Sequence, residues 1–292
     1  MQFQNKLKQN THIVCLIGHP ILHSFSPMMH NIAFDLSGLN YLYLPFDVPP
    51  ASLKDAMRGV IALGIKGFNV TIPHKEKISE YLTNISEEAA VIGAVNTVVN
   101  ENGKLNGCNT DVEGAIRTLS PYKEDISGQT VSIIGAGGAS RSVIYALIRH
   151  FKVNNINIIN RTLQKAESLC EYFSNKMHFE NFKAYDLMPP DLVNILNNSK
   201  LIVNTTPVGM HPDTDDSPTT NHKSFNKDQI IFDVVYNPLK TKFLQTAEIS
   251  GAKVVNGLTM LIEQGASSFE LWTGEKMPVQ KIYRTLFSYL SN

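Results

Sequence analysis

The sequence predicts an α/β protein of two domains, the first built on a mixed, mainly parallel sheet. Three observations predict it. Short β-branched runs alternate with helix-patterned segments nearly from end to end, the order that produces parallel sheets. At 292 residues the chain exceeds what one hydrophobic core usually serves. A polar stretch with Pro, Ser and Gly, SPYKEDISGQ (120–129), divides two series of strands.

In the first series HIVCLIG (12–18), YLYLPFDV (41–48) and GFNVTI (67–72) read as strands. Between the last two, SLKDAMRGVIALG (52–64) places Met57, Val60, Ile61 and Leu53 or Leu63 at helical spacing. In HSFSPMMHN (23–31) Ser26 reads as a helix N-cap with Pro27 at the first helical position, which leaves Ser24 unexplained. NTVVN (96–100) and KLNGCN (104–109), joined by ENG, give a hairpin, so the first sheet is mixed. In the second series TVSIIG (130–135), NINIIN (155–160), KLIVNTT (200–206), IIFDVVY (230–236) and AKVVN (252–256) read as strands separated by helices. HPDTDDSPTT (211–220) reads as a mobile loop near a site. GLTMLIEQGASSFELWTG (257–274) and VQKIYRTLFSYL (279–290) read as helices. Their apolar faces need partners once the second sheet is complete, so they are expected to pack back on the first domain. The expected division is 1–119, 120–256 and 257–292.

Lys and Arg together number 26, equal to Asp and Glu, and no basic stripe of the kind nucleic acids require is present. No apolar run approaches the ~20 residues of a membrane span, and MQFQNKLKQN lacks the apolar core of a secretion signal. Cys15, Cys108 and Cys170 are odd in number and widely spaced, as buried thiols in a reducing cytoplasm would be. His19, His23 and His30 match no zinc spacing, so no metal is expected. His74 reads as a helix-start residue, and Met28, Met29 and Met260 as core or pocket walls.

IIGAGGASR (133–141) places Gly135, Gly137 and Gly138 where a strand leaves and a helix begins. Glycines there let backbone N–H groups approach a pyrophosphate seated on the helix N-terminus. Ser140 holds the third glycine position of the G-x-G-x-x-G pattern and is small enough for close packing. The next strand ends on Asn160, Arg161 and Thr162, with Lys165 one helical turn on, where an NAD site offers Asp or Glu to the ribose. A carboxylate would repel a 2′-phosphate and this set would attract one, which selects NADP over NAD.

In GFNVTIPHKEK (67–77) the strand brings Asn69 and Thr71, Pro73 opens a helix, and Lys75 stands in its first turn, where the helix field lowers a lysine pKa. GAVNT (93–97) carries Asn96 to a strand start, and GCNTD (107–111) carries Asn109, Thr110 and Asp111 to a strand end. Each residue also has a local structural explanation; Asp111, for one, suits a helix cap.

Taken together, GHPILHSFSPMMHN, NVTIPHKE, GAVNT, NTD, GAGGASR, NRT, NTTPVGM, DVVYNP and NGLTMLIEQGA resemble, in order and spacing, the shikimate dehydrogenase family over almost the whole chain. The resemblance implies an N-terminal substrate domain, a Rossmann-like NADP domain and C-terminal helices returning to the first. It implies reversible reduction of 3-dehydroshikimate to shikimate by a monomer or homodimer. It implies that Ser24, Ser26, Asn69, Thr71, Lys75, Asn96, Asp111, Tyr236 and Gln264 hold substrate and that Lys75 and Asp111 are the catalytic pair. On the cofactor side it adds Ala136, Ala139, Thr205, Val234, Gly257 and Met260 to the glycines and the Asn160–Lys165 group. The paired serines suit a ring carboxylate, two hydroxyls at a helix N-terminus being donors in a favourable field. A secondary alcohol also needs a proton manager, and with no Y-x-x-x-K motif beside the glycine turn Lys75 is the candidate. Two alternatives carry the same scaffold: a quinate or cyclic polyol acid dehydrogenase, using NAD or NADP, and a non-catalytic NADP sensor.

Overall fold

The β-branched runs become strands, most of them ending a residue or two inside the bounds read from sequence. A computed structural model of the chain describes residues 8–21, 24–187 and 191–291. His23 therefore lies outside the described residues. The first half contains β1 (His12–Gly18), α1 (Ser26–Leu36), β2 (Tyr41–Asp47), α2 (Leu53–Ala62), β3 (Gly67–Val70), β4 (Asn84–Ile85), α3 (Glu87–Ile92), β5 (Thr97–Glu101) and β6 (Lys104–Cys108). The second contains α4 (Asp111–Leu119), α5 (Lys123–Ile126), β7 (Thr130–Ile134), α6 (Gly138–Ala146), β8 (Asn155–Ile159), α7 (Leu163–Met177), β9 (Phe182–Tyr185), α8 (Leu192–Asn197), β10 (Leu201–Asn204), β11 (Ile230–Asp233), α9 (Lys242–Ile249) and β12 (Lys253–Val255). Two helices, α10 (Leu258–Thr273) and α11 (Val279–Leu290), close the chain.

Two compact units result: 1–110 with 264–286, and 111–263 with 287–292. The division thus falls between Thr110 and Asp111, nine residues before the expected one, and it cuts through α10 and α11. Residues 264–286 return to the first unit for a visible reason. Phe269 stacks on Phe34 at 5.2 Å, and Trp272 Nε1 donates to the Val98 carbonyl at 3.0 Å.

The first unit's sheet has the order β2-β1-β3-β5-β6-β4. β1 runs parallel to β2 and β3, while β5 is antiparallel to both β3 and β6. The hairpin turn is Asn102-Gly103, both at positive φ, the pairing a two-residue hairpin prefers. Cys15, Ile17, Leu53, Phe68, Val70, Ile78 and Val98 fill one core of this unit.

The second unit's six strands are all parallel, in the order β12-β11-β10-β7-β8-β9. Counted along the unit, that is 3-2-1-4-5-6 reversed, the doubly wound Rossmann order with its switch point between β7 and β10. Central strands β10 and β11 are buried throughout, hence their uninterrupted apolar runs.

Sequence pattern missed β4, which is two residues long, and β9, a half-buried edge strand whose Lys183 faces solvent. The expected helix at Pro73 does not form. The His74 N–H donates to the Thr71 carbonyl at 2.9 Å, closing a turn, and the first helical residues are a 3₁₀ segment, Lys77–Tyr81. His74 pins this turn: it is buried, with Nε2 2.6 Å from the Val48 carbonyl. The 211–220 segment is a run of turns in which Asp215 pairs with Lys242 at 2.8 Å.

Candidate active site

Strand register gathers the predicted residues of the first unit at one sheet edge. Ile17 lies beside Val70, Asn69 opposite Thr97, and Thr97 opposite Cys108. The carboxyl ends of β1, β3 and β6 and the start of β5 therefore share an edge. Ser24 and Ser26 follow β1, Thr71 and Lys75 follow β3, Asn96 precedes β5, and Asn109 and Thr110 follow β6.

Behind this edge lies a buried hydrogen-bond network. Asn69 accepts from Tyr43 Oη at 2.8 Å and donates to Thr97 Oγ1 at 3.0 Å and Ser268 Oγ at 2.9 Å. Asn96 Oδ1 accepts the Thr110 N–H at 2.7 Å; its Nδ2 donates to Thr110 Oγ1 at 2.9 Å and reaches Gln264 Oε1 at 3.4 Å. Thr97 and Ser268 hydroxyls meet at 2.8 Å. Asn109 ties the edge to the Ala94 carbonyl. Buried polar groups joined this fully cost little and hold one geometry. Asn69 makes these bonds inside the protein, an arrangement suited to a strut. Tyr43, Thr97 and Ser268 were not singled out from sequence. They are 26 to 199 positions from the partners named above, although one signal was present: polar residues at core-facing positions of strand and helix.

Two sequence expectations change here. Ser26 is the first residue of α1, not its cap; Phe25 holds the cap position and its side chain makes no capping hydrogen bond. Ser24 Oγ accepts the Ser26 N–H at 3.3 Å, so the capping interaction falls to the serine that local structure had left unexplained. Lys75 precedes a 3₁₀ segment by two residues, so the helix-field argument for it does not apply. Asp111 is the buried first residue of α4, a favourable place for a carboxylate, and directly follows Thr110.

The second unit repeats the edge principle. Ile134 pairs with Ile159 and Asn204, and Asn204 with Asp233, so all the carboxyl ends lie together. Gly135 to Ala139, Asn160 to Lys165, Thr205 and Val234 leave from that edge. Gly257, two residues past β12, donates its N–H to Val235 at 3.1 Å, and Met260 is buried in the following helix. Gly135 has φ +112°, and a Cβ there would lie 2.6 Å from Thr205 Oγ1. Thr205 in turn donates to the Ile134 carbonyl at 2.8 Å.

These residues fit a dinucleotide. α6 has no side-chain cap, and a Cβ built on Gly137 meets nothing within 4 Å, so its first-turn N–H groups face open space. Ser140 is fully buried and donates to the Gly137 carbonyl at 2.5 Å. Arg161, Thr162 and Lys165 are exposed. Thr162 occupies the cap position of α7 without a side-chain cap bond, so capping does not explain its hydroxyl. Asn160 holds the turn by donating to the Thr162 carbonyl at 2.9 Å. A polar cavity of about 550 Å³ beside Asn155, Asn157 and Lys183 lies at the strand starts and contains none of the predicted residues. Among the described residues no three His, Cys, Asp or Glu side chains gather as a metal site, and no helix is long and apolar enough to cross a membrane.

A Rossmann unit with a dinucleotide edge, joined to an α/β unit with a polar, lysine-bearing edge, defines a two-domain nicotinamide-dependent oxidoreductase. The shikimate dehydrogenase substrate binding domain matches residues 16–98, the shikimate / quinate 5-dehydrogenase family 118–234, and the shikimate 5′-dehydrogenase C-terminal domain 257–287. The chain belongs to the shikimate dehydrogenase family. It is 45% identical over 282 residues to the NADP(+) shikimate dehydrogenase of Caldanaerobacter subterraneus subsp. tengcongensis, covering 96% of this chain and 98% of that one. A crystal structure of a shikimate dehydrogenase in complex with NADP+ superposes with TM-score 0.89 and 40% identity over 98% of both chains. Quinate dehydrogenase from Corynebacterium glutamicum in complex with NAD superposes with TM-score 0.85 and 30% identity, over 95% of this chain and 99% of that one.

Proposed function

We propose that the protein catalyses reversible NADPH-dependent reduction of 3-dehydroshikimate to shikimate. In this reading the unit of residues 1–110 and 264–286 binds substrate and carries Lys75, and the unit of 111–263 and 287–292 binds NADP. The observation that carries it is the gathering of Ser24, Ser26, Thr71, Lys75 and Asn96 at one sheet edge. Hydroxyls, an amide and one cation suit a hydroxylated ring acid.

Ser24 and Ser26 donate to the ring carboxylate at the head of α1, where the helix field favours an anion. Thr71, Asn96, Tyr236 and Gln264 bind the ring hydroxyls, and Asn69 holds Asn96 in place from behind. When bound, NADPH supplies the hydride. Lys75 holds the proton that the substrate oxygen gains in reduction and takes it back in oxidation, with Asp111 orienting the ammonium and accepting from a neighbouring hydroxyl. Backbone N–H groups from Ala136 to Ala139 meet the pyrophosphate. Arg161, Thr162 and Lys165 grip the 2′-phosphate, and Thr205, Val234, Gly257 and Met260 line the nicotinamide end. A cytoplasmic setting accords with three free thiols, Cys15, Cys108 and Cys170, all at least half-buried.

The test is one assay panel: shikimate and quinate, each with NADP+ and NAD+, followed by reduced-nicotinamide absorbance. Shikimate with NADP+ is expected to turn over fastest. Robust turnover of quinate alone would overturn the substrate assignment, and turnover favouring NAD+ would overturn the cofactor assignment.

A further inference from the structure

Asp233, the last residue of β11, is completely buried and takes no part in the chemistry above. Its carboxylate accepts three hydrogen bonds: from Thr241 Oγ1 at 2.6 Å, Asn204 Nδ2 at 2.9 Å and the Val235 N–H at 3.1 Å. Each donor controls a different segment. Thr241 caps α9 by accepting the Leu244 N–H. Val235 lies between Val234 and Tyr236. Asn204 ends β10, and its Oδ1 accepts from Thr206 N at 3.0 Å and Thr206 Oγ1 at 2.7 Å, shaping the turn next to Thr205.

We propose that Asp233 is a positioning residue for the nicotinamide half of the cofactor, setting the loops after β10 and β11 through the orientation of the Asn204 amide. This rests on the cofactor reading above. The reason is chemical: at pH 8, where Asp233 is ionised, its carboxylate only accepts, so Asn204 must turn its NH₂ toward Asp233 and its oxygen toward Thr206. An amide at 233 has a donor as well, and permits Asn204 to flip. The flip would present NH₂ to the Thr206 N–H and release the turn. A buried ionised carboxylate is a costly way to hold a loop if holding were all that mattered. Burial pushes the Asp233 carboxyl up to about 7, and the groups that oppose that rise, on Thr241, Val235 and Asn204, are all uncharged. With a folded-state value above the ordinary 3.8, the native protein binds the extra proton, so stability falls as pH rises toward 7.

The proposal therefore separates stability from binding. At pH 8, Asp233→Asn is expected to leave Tm unchanged or raised while weakening NADPH, followed by its fluorescence at the same pH, about tenfold, the scale of one or two rearranged hydrogen bonds. Adenosine 2′,5′-bisphosphate, which carries only the adenosine end, should bind the variant and the parent alike. Thr206→Val, which leaves the carboxylate untouched, should weaken NADPH in the same direction, and it serves alone if Asp233→Asn does not fold. Unchanged NADPH affinity in the variants, or equal loss of both ligands, would overturn the positioning role. A parent protein that binds neither ligand would overturn the cofactor reading itself.

Discussion

The two sheet edges hold their polar side chains under opposite conditions. At the first, Asn69, Asn96, Thr97, Thr110 and Ser268 are buried and bonded to one another. At the second, Arg161 and Thr162, on the loop after β8, and Lys165, in the first turn of α7, stand in solvent. A buried network fixes geometry, which a proton and hydride transfer needs within fractions of an ångström. Exposed cations recognise charge and tolerate movement, which suffices to choose between a 2′-hydroxyl and a 2′-phosphate. Changes at the first edge should appear in turnover and stability, and changes at the second in the affinity for one cofactor.

The sharpest break is Lys75→Ala. Losing the proton manager should lower kcat at least ~10²-fold while NADPH still binds, the usual worth of general acid–base catalysis. Near-normal kcat in steady-state assays would remove Lys75 from the chemistry.

Asn96→Ala strikes the network. It strands the buried Thr110 N–H, while the Thr110 hydroxyl keeps the Thr97 and Ser268 hydroxyls at 3.0 and 3.2 Å, so unfolding should be easier by about 1–3 kcal/mol, the cost of one unsatisfied buried group. Thermal denaturation reads this directly, and an unchanged Tm would mean the network is not what holds the edge. Ser268→Ala should cost less, about 1 kcal/mol, because Asn69 retains Thr97 as an acceptor.

The smallest effects separate the two serines. Both Ser24→Ala and Ser26→Ala should raise the KM for shikimate. Only Ser24→Ala should also lower Tm, by the equivalent of roughly 0.5–1 kcal/mol, because Ser24 and not Ser26 accepts the helix-start N–H. A larger Tm loss in Ser26→Ala would reverse that assignment.

The same contrast governs how much was legible in sequence. The glycine turn and Asn160–Lys165 are contiguous motifs, and each could be read locally because strand, turn and helix follow one another within a few residues. The first edge is assembled from β1, β3, β5, β6 and α10, and only sheet register brings Asn69 beside Thr97 or Ser268 beside both. Local reading erred where two local rules compete. Ser26-Pro27 fits a cap and first-turn pattern, yet the helix begins one residue earlier. Pro73 fits a helix start, yet burial of His74 closes a turn instead. Strand β9 escaped because a half-buried edge carries no strong alternation.

The division of labour between the edges is tested most directly by the specificity of Arg161→Ala, measured as kcat and KM for NADP+ and for NAD+ at saturating shikimate. Arg161 offers a charge-assisted hydrogen bond worth ~1.5–3 kcal/mol, so the KM for NADP+ should rise roughly tenfold or more. The KM for NAD+ and both kcat values should stay near those of the parent. Equal weakening toward the two cofactors, or a fall in kcat, would contradict the assignment of cofactor choice to the exposed edge and chemistry to the buried one.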